Sequence, residues 1–184
     1  MKKAALFGVI LVLGITPLFA EDPITLASGD LSVLKTKSLA IFTVDYSSAK
    51  VGDLTLEEYL ETRGEKFTSD WYKFSESTQS FFSTWMNRKS KGMKITEKQE
   101  EASYKINVRV DMLDLGFGGG AFVPLTVKLG GCVMFGTINI IDLKTNETVC
   151  TFDVNNLKGD KHNLLDVRIG YMYREIADRL CKLK

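Results

Sequence analysis

YKINVRVDMLDL (Tyr104–Leu115), CVMFGTINIIDL (Cys132–Leu143) and TVCTFDV (Thr148–Val154) are the stretches that decide the fold. In the first, Tyr104, Ile106, Val108, Val110 and Met112 alternate with Lys105, Asn107, Arg109 and Asp111. A period of two with one apolar parity describes a strand with one wet face. The phase slips at Leu113, so a bulge or a strand end is expected near Asp111–Asp114. In the second stretch both parities are largely apolar, which places that strand inside a sheet. Lys144-Thr145-Asn146-Glu147 reads as the turn of a hairpin, with Thr148–Val154 returning antiparallel and Asn155–Lys161 as polar loop.

Upstream, Leu39–Tyr46 has apolar groups on both parities and reads as another interior strand. Glu21–Lys37 is weakly patterned; its apolar residues fit a sheet edge or a helix end. Leu54–Glu61 fits one or two helical turns, with Thr55 and Glu58 spaced as a capping box. A long helix is predicted over Asp70–Lys91, capped by Ser69. Its stripe is Trp71, Phe74, Thr78, Phe81 and Trp85, with Met86 alongside and Phe82 partly exposed. Cations Arg88, Lys89 and Lys91 suit its carbonyl end, and Gly92 suits its stop. A second helix is predicted from an Asn163 cap to the C-terminus, striped by Ile169, Met172, Tyr173, Ile176, Leu180 and Leu183. Gly170 within it costs about 1 kcal/mol relative to Ala, which a close approach of helix to sheet would explain. Leu125–Leu129 can add a strand.

The predicted fold is α+β: a two-layer sandwich with a mixed four- to five-stranded sheet and two helices on one face. The order is strand-helix-strand-strand-strand-helix. A length of 184 residues fits one domain, and 45% hydrophobic with 26% charged residues is an ordinary globular composition. Residues 1–20 read as a secretory signal peptide: Lys2 and Lys3, the apolar run Ala4–Ile15, then Thr16-Pro17 and Ala20 before Glu21. As a helix, Ala4–Ala20 would span about 25 Å, short of the roughly 30 Å hydrocarbon core. The domain is therefore 21–184, periplasmic or secreted, with no transmembrane segment after leader removal. Without Lys2 and Lys3 the chain has 22 basic and 23 acidic residues. That balance gives no reason to expect nucleic acid or a strongly charged membrane as partner.

Catalytic signals are sparse. His162 is the one histidine and sits in a polar stretch. A zinc site would need more His or closely spaced Cys, and no Gly-x-Ser-x-Gly elbow is present. Cys132, Cys150 and Cys181 read as free, buried thiols. The hairpin register sets Cys132 and Cys150 about 30 Å apart, beyond disulfide reach; Cys150–Cys181 stays open. Glu57, Glu58 and Glu61, then Glu97, Glu100 and Glu101, then Asp111 and Asp114 are the carboxylate candidates. All fall in polar segments, without the contrasting environments that acid–base chemistry needs. No cofactor is expected. Gly116-Phe117-Gly118-Gly119-Gly120-Ala121-Phe122 lacks the Gly-Lys-Ser/Thr that would make it a phosphate loop. It is the candidate contact loop, displaying Phe117 and Phe122.

Gly29-Asp30-Leu31-Ser32-Val33-Leu34-Lys35, Val44-Asp45-Tyr46-Ser47, Ile140-Ile141-Asp142-Leu143-Lys144-Thr145 and Arg168-Ile169, behind a leader, carry a resemblance. The chain resembles small exported proteins of unknown function from Bacteroidetes-type gut bacteria. More loosely, it is similar to the α/β modules of envelope lipoproteins and to the N-terminal domain of the Tol-system propeller protein. That likeness implies envelope assembly or protein docking, although no lipid-bearing Cys follows the leader. The expected function is thus a non-enzymatic envelope module binding an unidentified protein. The alternatives are a carboxylate-dependent hydrolase or carbohydrate-active enzyme, and a subunit self-assembling through edge strands.

Overall fold

A computed structural model describes residues 22–116, 131–162 and 164–183, without the Phe74 side chain. The leader, the Asn163 cap, the Leu125–Leu129 strand and the contact loop from Phe117 to Phe122 lie outside the described residues. In chain order the elements are β1 (Ile24–Gly29), α1 (Ser32–Lys35), β2 (Leu39–Asp45), β3 (Lys50–Val51), β4 (Leu54–Thr55), α2 (Leu56–Arg63) and α3 (Glu65–Lys89). They continue as β5 (Lys94–Ile95), β6 (Tyr104–Asp114), β7 (Val133–Asp142), β8 (Glu147–Lys158) and α4 (Leu165–Lys182).

The sheet is mixed and ordered β1-β8-β7-β6-β2-β5, with β3 and β4 attached beside β6. Its eight strands exceed the expected four to five. The four extra ones are β1 and the two-residue pairings β3, β4 and β5. None has room for an alternating pattern that a sequence could show: three are too short, and β1 has only Ile24 buried. β2 runs parallel to β6 and β5, and β6, β7, β8 and β1 are antiparallel neighbours.

Register explains the patterning. Phe42, Ile106, Ile140 and Cys150 stand in one cross-strand row; Val44, Val108, Ile138 and Phe152 stand in the next. From β6 to β8 these rows are sealed, with Ile106, Val108, Ile138, Ile140 and Phe152 at 0–1% exposure. The β6 register shifts between Val110 and Met112. The slip thus falls one residue before Met112, which is exposed, and Leu113 and Leu115 return to the core. β8 runs on to Lys158, past the expected end at Val154, because a register shift lets Leu157 reach the core although Asn155 and Asn156 are exposed.

α3 and α4 cover this same face. Phe42 stacks on Phe82 of α3, centroids 3.8 Å apart, and meets Tyr173 of α4 edge-on at 5.9 Å. α3 starts at Glu65 behind Gly64, not at a Ser69 cap, and α2 carries the full Thr55–Glu58 capping box. The buried stripe of α3 is Trp71, Thr78, Phe82 and Met86. Phe81 is 38% exposed and Phe82 is wholly buried, the reverse of the expectation. The cause is a second neighbour: Phe81 lies against Gly170, and Trp85 donates its indole N–H to Asp178 at 3.1 Å, both on α4. A Cβ on Gly170 would stand 2.9 Å from the Phe81 ring, so this glycine serves a helix–helix approach, not a helix–sheet one. Phe81 to Gly170, Trp85 to Asp178 and Met86 to Cys181 advance together, so the helices run parallel.

Candidate functional site

The covered face ends on a pair of hydroxyls, one from the buried Tyr173 and one from the half-buried Tyr46. The strand β2 delivers Tyr46 just past its end, and α4 delivers Tyr173; their hydroxyls are hydrogen-bonded, with Trp71 edge-on to Tyr46 at 5.6 Å. Burial pushes the Tyr46 phenol up to about 12 and Tyr173 well above its usual value. Both phenols are held neutral by this burial, and the pair ties the end of β2 to α4 as a strut. An unfolded tyrosine ionises near pH 10. Its native counterpart resists until about 12, so the stability from this pair is complete below pH ~10 and is lost as pH rises through about 12. Either single Tyr→Phe change should cost about 1–2 kcal/mol by stranding the other hydroxyl. The double change should cost less than the sum of the singles and flatten the alkaline fall of stability. Urea titrations across that pH range check both.

Of the carboxylate candidates, Glu57, Glu61, Glu97 and Glu100 are exposed, and the others have local partners. Glu58 accepts from the Thr55 backbone and hydroxyl, which hold its carboxyl below the usual range. Glu101 pairs with Lys98, Asp111 with Arg109, and Asp114 accepts the Gly116 N–H. Glu61 and Glu65 both line a shallow depression with Tyr72, but each is exposed to water. The His162 Nδ1 accepts the Leu164 N–H at 3.1 Å. Cys132 and Cys150 are buried and Cys181 half-buried, all as free thiols. Burial raises all three, Cys132 to about 11, which opposes a thiolate nucleophile. Among the described residues no three His, Cys, Asp or Glu gather as a metal set.

Of the expected contact loop, only Gly116 is described; it takes a left-handed φ of 64° at the end of β6. What the fold does present is a surface that the sequence pattern showed only in part. The wet parity of β6 extends into rows across five strands. One row is Thr43, Asn107, Asn139, Thr151 and Ser28; the next is Asp45, Arg109, Thr137, Asp153 and Thr25. Thr43 donates to Asn107 at 2.8 Å and Thr151 to Asn139 at 3.0 Å. Among the described residues neither α3 nor α4 covers this face, and Thr137 in the second row keeps its Oγ1 buried without a partner. Both rows end on β1, the edge of the sheet, where every residue after Ile24 is exposed. β1 pairs with β8 on one side and with no other strand among the described residues. Arg179 of α4 holds Asp22 just ahead of it, fixing where the edge begins.

No family model matches the sequence, and no curated protein does. Among solved structures, the chain is similar to the PelC dodecamer from Paraburkholderia phytofirmans. Identity is 11%, coverage is 88% of this chain and 98% of that one, and the TM-score is 0.45. It is also similar to a neuraminyllactose-binding hemagglutinin homolog from Helicobacter pylori. There identity is 14%, coverage is 80% and 83%, and the TM-score is 0.37. Overlaps this loose transfer neither ligand nor assembly to this chain.

Proposed function

We propose that the chain is an exported, non-enzymatic docking module that takes up an extended segment of a protein partner along β1. One observation carries the reading: among the described residues the outer edge of β1 pairs with no strand, and it is continuous with a polar face. An edge of this kind is a template for strand addition, in which main-chain hydrogen bonds supply affinity and neighbouring side chains supply selectivity. The leader-like residues 1–20 put that partner in the envelope or outside the cell. The loop Gly116–Phe122 adjoins the far end of β6 and is the second proposed contact. Self-assembly through the same edge is the competing use of the same backbone groups.

The test is capture from an envelope extract with the wild type and a Leu26→Lys variant. Leu26 is 43% exposed on the edge, so Lys there should leave folding stability within about 0.5 kcal/mol. A charged edge opposes pairing, so the variant should lose capture at least about tenfold. Capture that survives both Leu26→Lys and deletion of Gly116–Gly120 refutes both contacts. Concentration-dependent oligomers in light scattering that Leu26→Lys abolishes assign the edge to self-assembly instead.

A further inference from the structure

The outer seam between α3 and α4 collects positive charge around the exposed Phe81 ring and the half-buried Trp85 and Tyr171 rings. Arg174 lies over the half-buried Trp85 ring at 4.3 Å, Lys89 at 5.2 Å and Arg88 at 5.7 Å. Arg174 also covers Tyr171 at 5.0 Å, and Tyr171 neighbours Phe81 at 6.5 Å. Among the described residues none of these three cations joins an ion pair. Of the nearby acids, Asp178 pairs with Lys182, accepts the Trp85 indole N–H and also feels the Lys89 charge, while Glu175 pairs with Arg179. The carbonyl end of α3 offsets Arg88 and Lys89 in part, but Arg174 sits two turns short of the α4 end, beyond the reach of its dipole. Three like charges with no carboxylate in ion-pair contact, Lys89 alone being partly offset at longer range by Asp178, leave an electrostatic excess that an anionic partner relieves.

We propose that this seam docks on an anionic lipid surface. Trp, Tyr and Phe rings would lie at headgroup depth, and Arg88, Lys89 and Arg174 would meet the phosphates. Two features favour a bilayer plane over an acidic protein. The rings and cations lie side by side along two parallel helices, and these residues line neither of the two described depressions. Mixed aromatic and basic side chains are the composition of interfacial surfaces. No helix among the described residues is long and apolar enough to cross a membrane, so attachment would be peripheral. This inference does not depend on strand addition at β1.

The experiment uses the chain from Glu21 onward, since every described strand and helix starts at or after Ile24. Vesicles of phosphatidylglycerol with phosphatidylethanolamine are compared with phosphatidylcholine vesicles. The chain should sediment with the anionic vesicles and be released by about 0.5 M salt. Its tryptophan emission should shift to shorter wavelength, and Trp85→Phe should abolish the shift, because the remaining Trp71 is 1% exposed and already dry. Arg88→Gln with Lys89→Gln alters two exposed side chains and should weaken partitioning about thirtyfold. Equal binding to phosphatidylcholine overturns the proposal. So does sedimentation without an emission shift, an Arg88/Lys89 variant that binds like wild type, or polyglutamate shifting the emission more than vesicles do.

Discussion

Phe82→Ala should lower the free energy of unfolding by about 3–5 kcal/mol, and Phe81→Ala by about 1 kcal/mol or less. The two residues are adjacent and chemically identical, so the contrast isolates position. Phe82 is wholly buried and stacked on Phe42 within 10° of coplanarity. Truncation removes that stack and leaves a cavity between α3 and β2. The packed interior cannot refill it without moving Ala40 or Met86, which are themselves buried. Phe81 keeps more than a third of its surface in water and rests on Gly170, so its loss opens the seam to solvent without hollowing the core. Urea denaturation of both variants reads the difference. A larger cost at Phe81 would mean that α3 is rotated from its described position.

Gly136→Ala should cost about 3 kcal/mol or more, an unusual penalty for one methyl group. Gly136 lies inside β7, opposite Val110 on one side and Val154 on the other. Register shifts flank it in both ladders, between Val110 and Met112 and between Met134 and Gly136. The doubled irregularity draws the neighbouring strand in, so a Cβ at Gly136 would stand 2.0 Å from the Arg109 carbonyl oxygen. A flexible side chain could yield, but a ladder carbonyl cannot do so without breaking its hydrogen bonds. Thermal melts of Gly136→Ala beside Gly52→Ala make the comparison, since nothing stands within 4 Å of a Cβ at Gly52. Gly52→Ala pays only for its left-handed φ of 64°, about 1 kcal/mol. Equal losses at the two sites would remove the close-approach account.

How far the sequence reveals this molecule follows from where each residue's partners lie. The alternation of β6, the two apolar parities of β7, the hairpin turn and the Thr55–Glu58 box are legible because each depends on near neighbours in the chain. The bulge near Asp111 is legible for the same reason, from the break in parity. The rotation of α3 is not. Trp71–Thr78–Phe81–Trp85 and Trp71–Thr78–Phe82–Met86 both fit helical spacing, and the choice depends on α4 claiming Phe81 and Trp85 from the side. Gly170 is noticeable as an expensive helical glycine, but its partner is a ring on another helix. β1 is nearly invisible, because an edge strand with one buried residue carries no period. The polar rows are half legible: Lys105, Asn107 and Arg109 show a wet face, while their alignment with Asn139, Thr151 and Asp153 depends on register. The cation seam escapes notice because Arg88 and Lys89 are ordinary helix-end residues until Arg174 is set beside them.

Two parallel helices seal one side of the sheet, and among the described residues the other side and the β1 edge stay open. Residue-resolved amide hydrogen exchange tests this arrangement most directly. The account predicts the slowest exchange at Ile106, Val108, Ile138, Ile140 and Phe152, with the outward-facing amides of Thr25–Gly29 exchanging orders of magnitude faster. Protection across Thr25–Gly29 equal to that of β8, in the isolated chain at low concentration, would mean the edge is already occupied and would contradict the account.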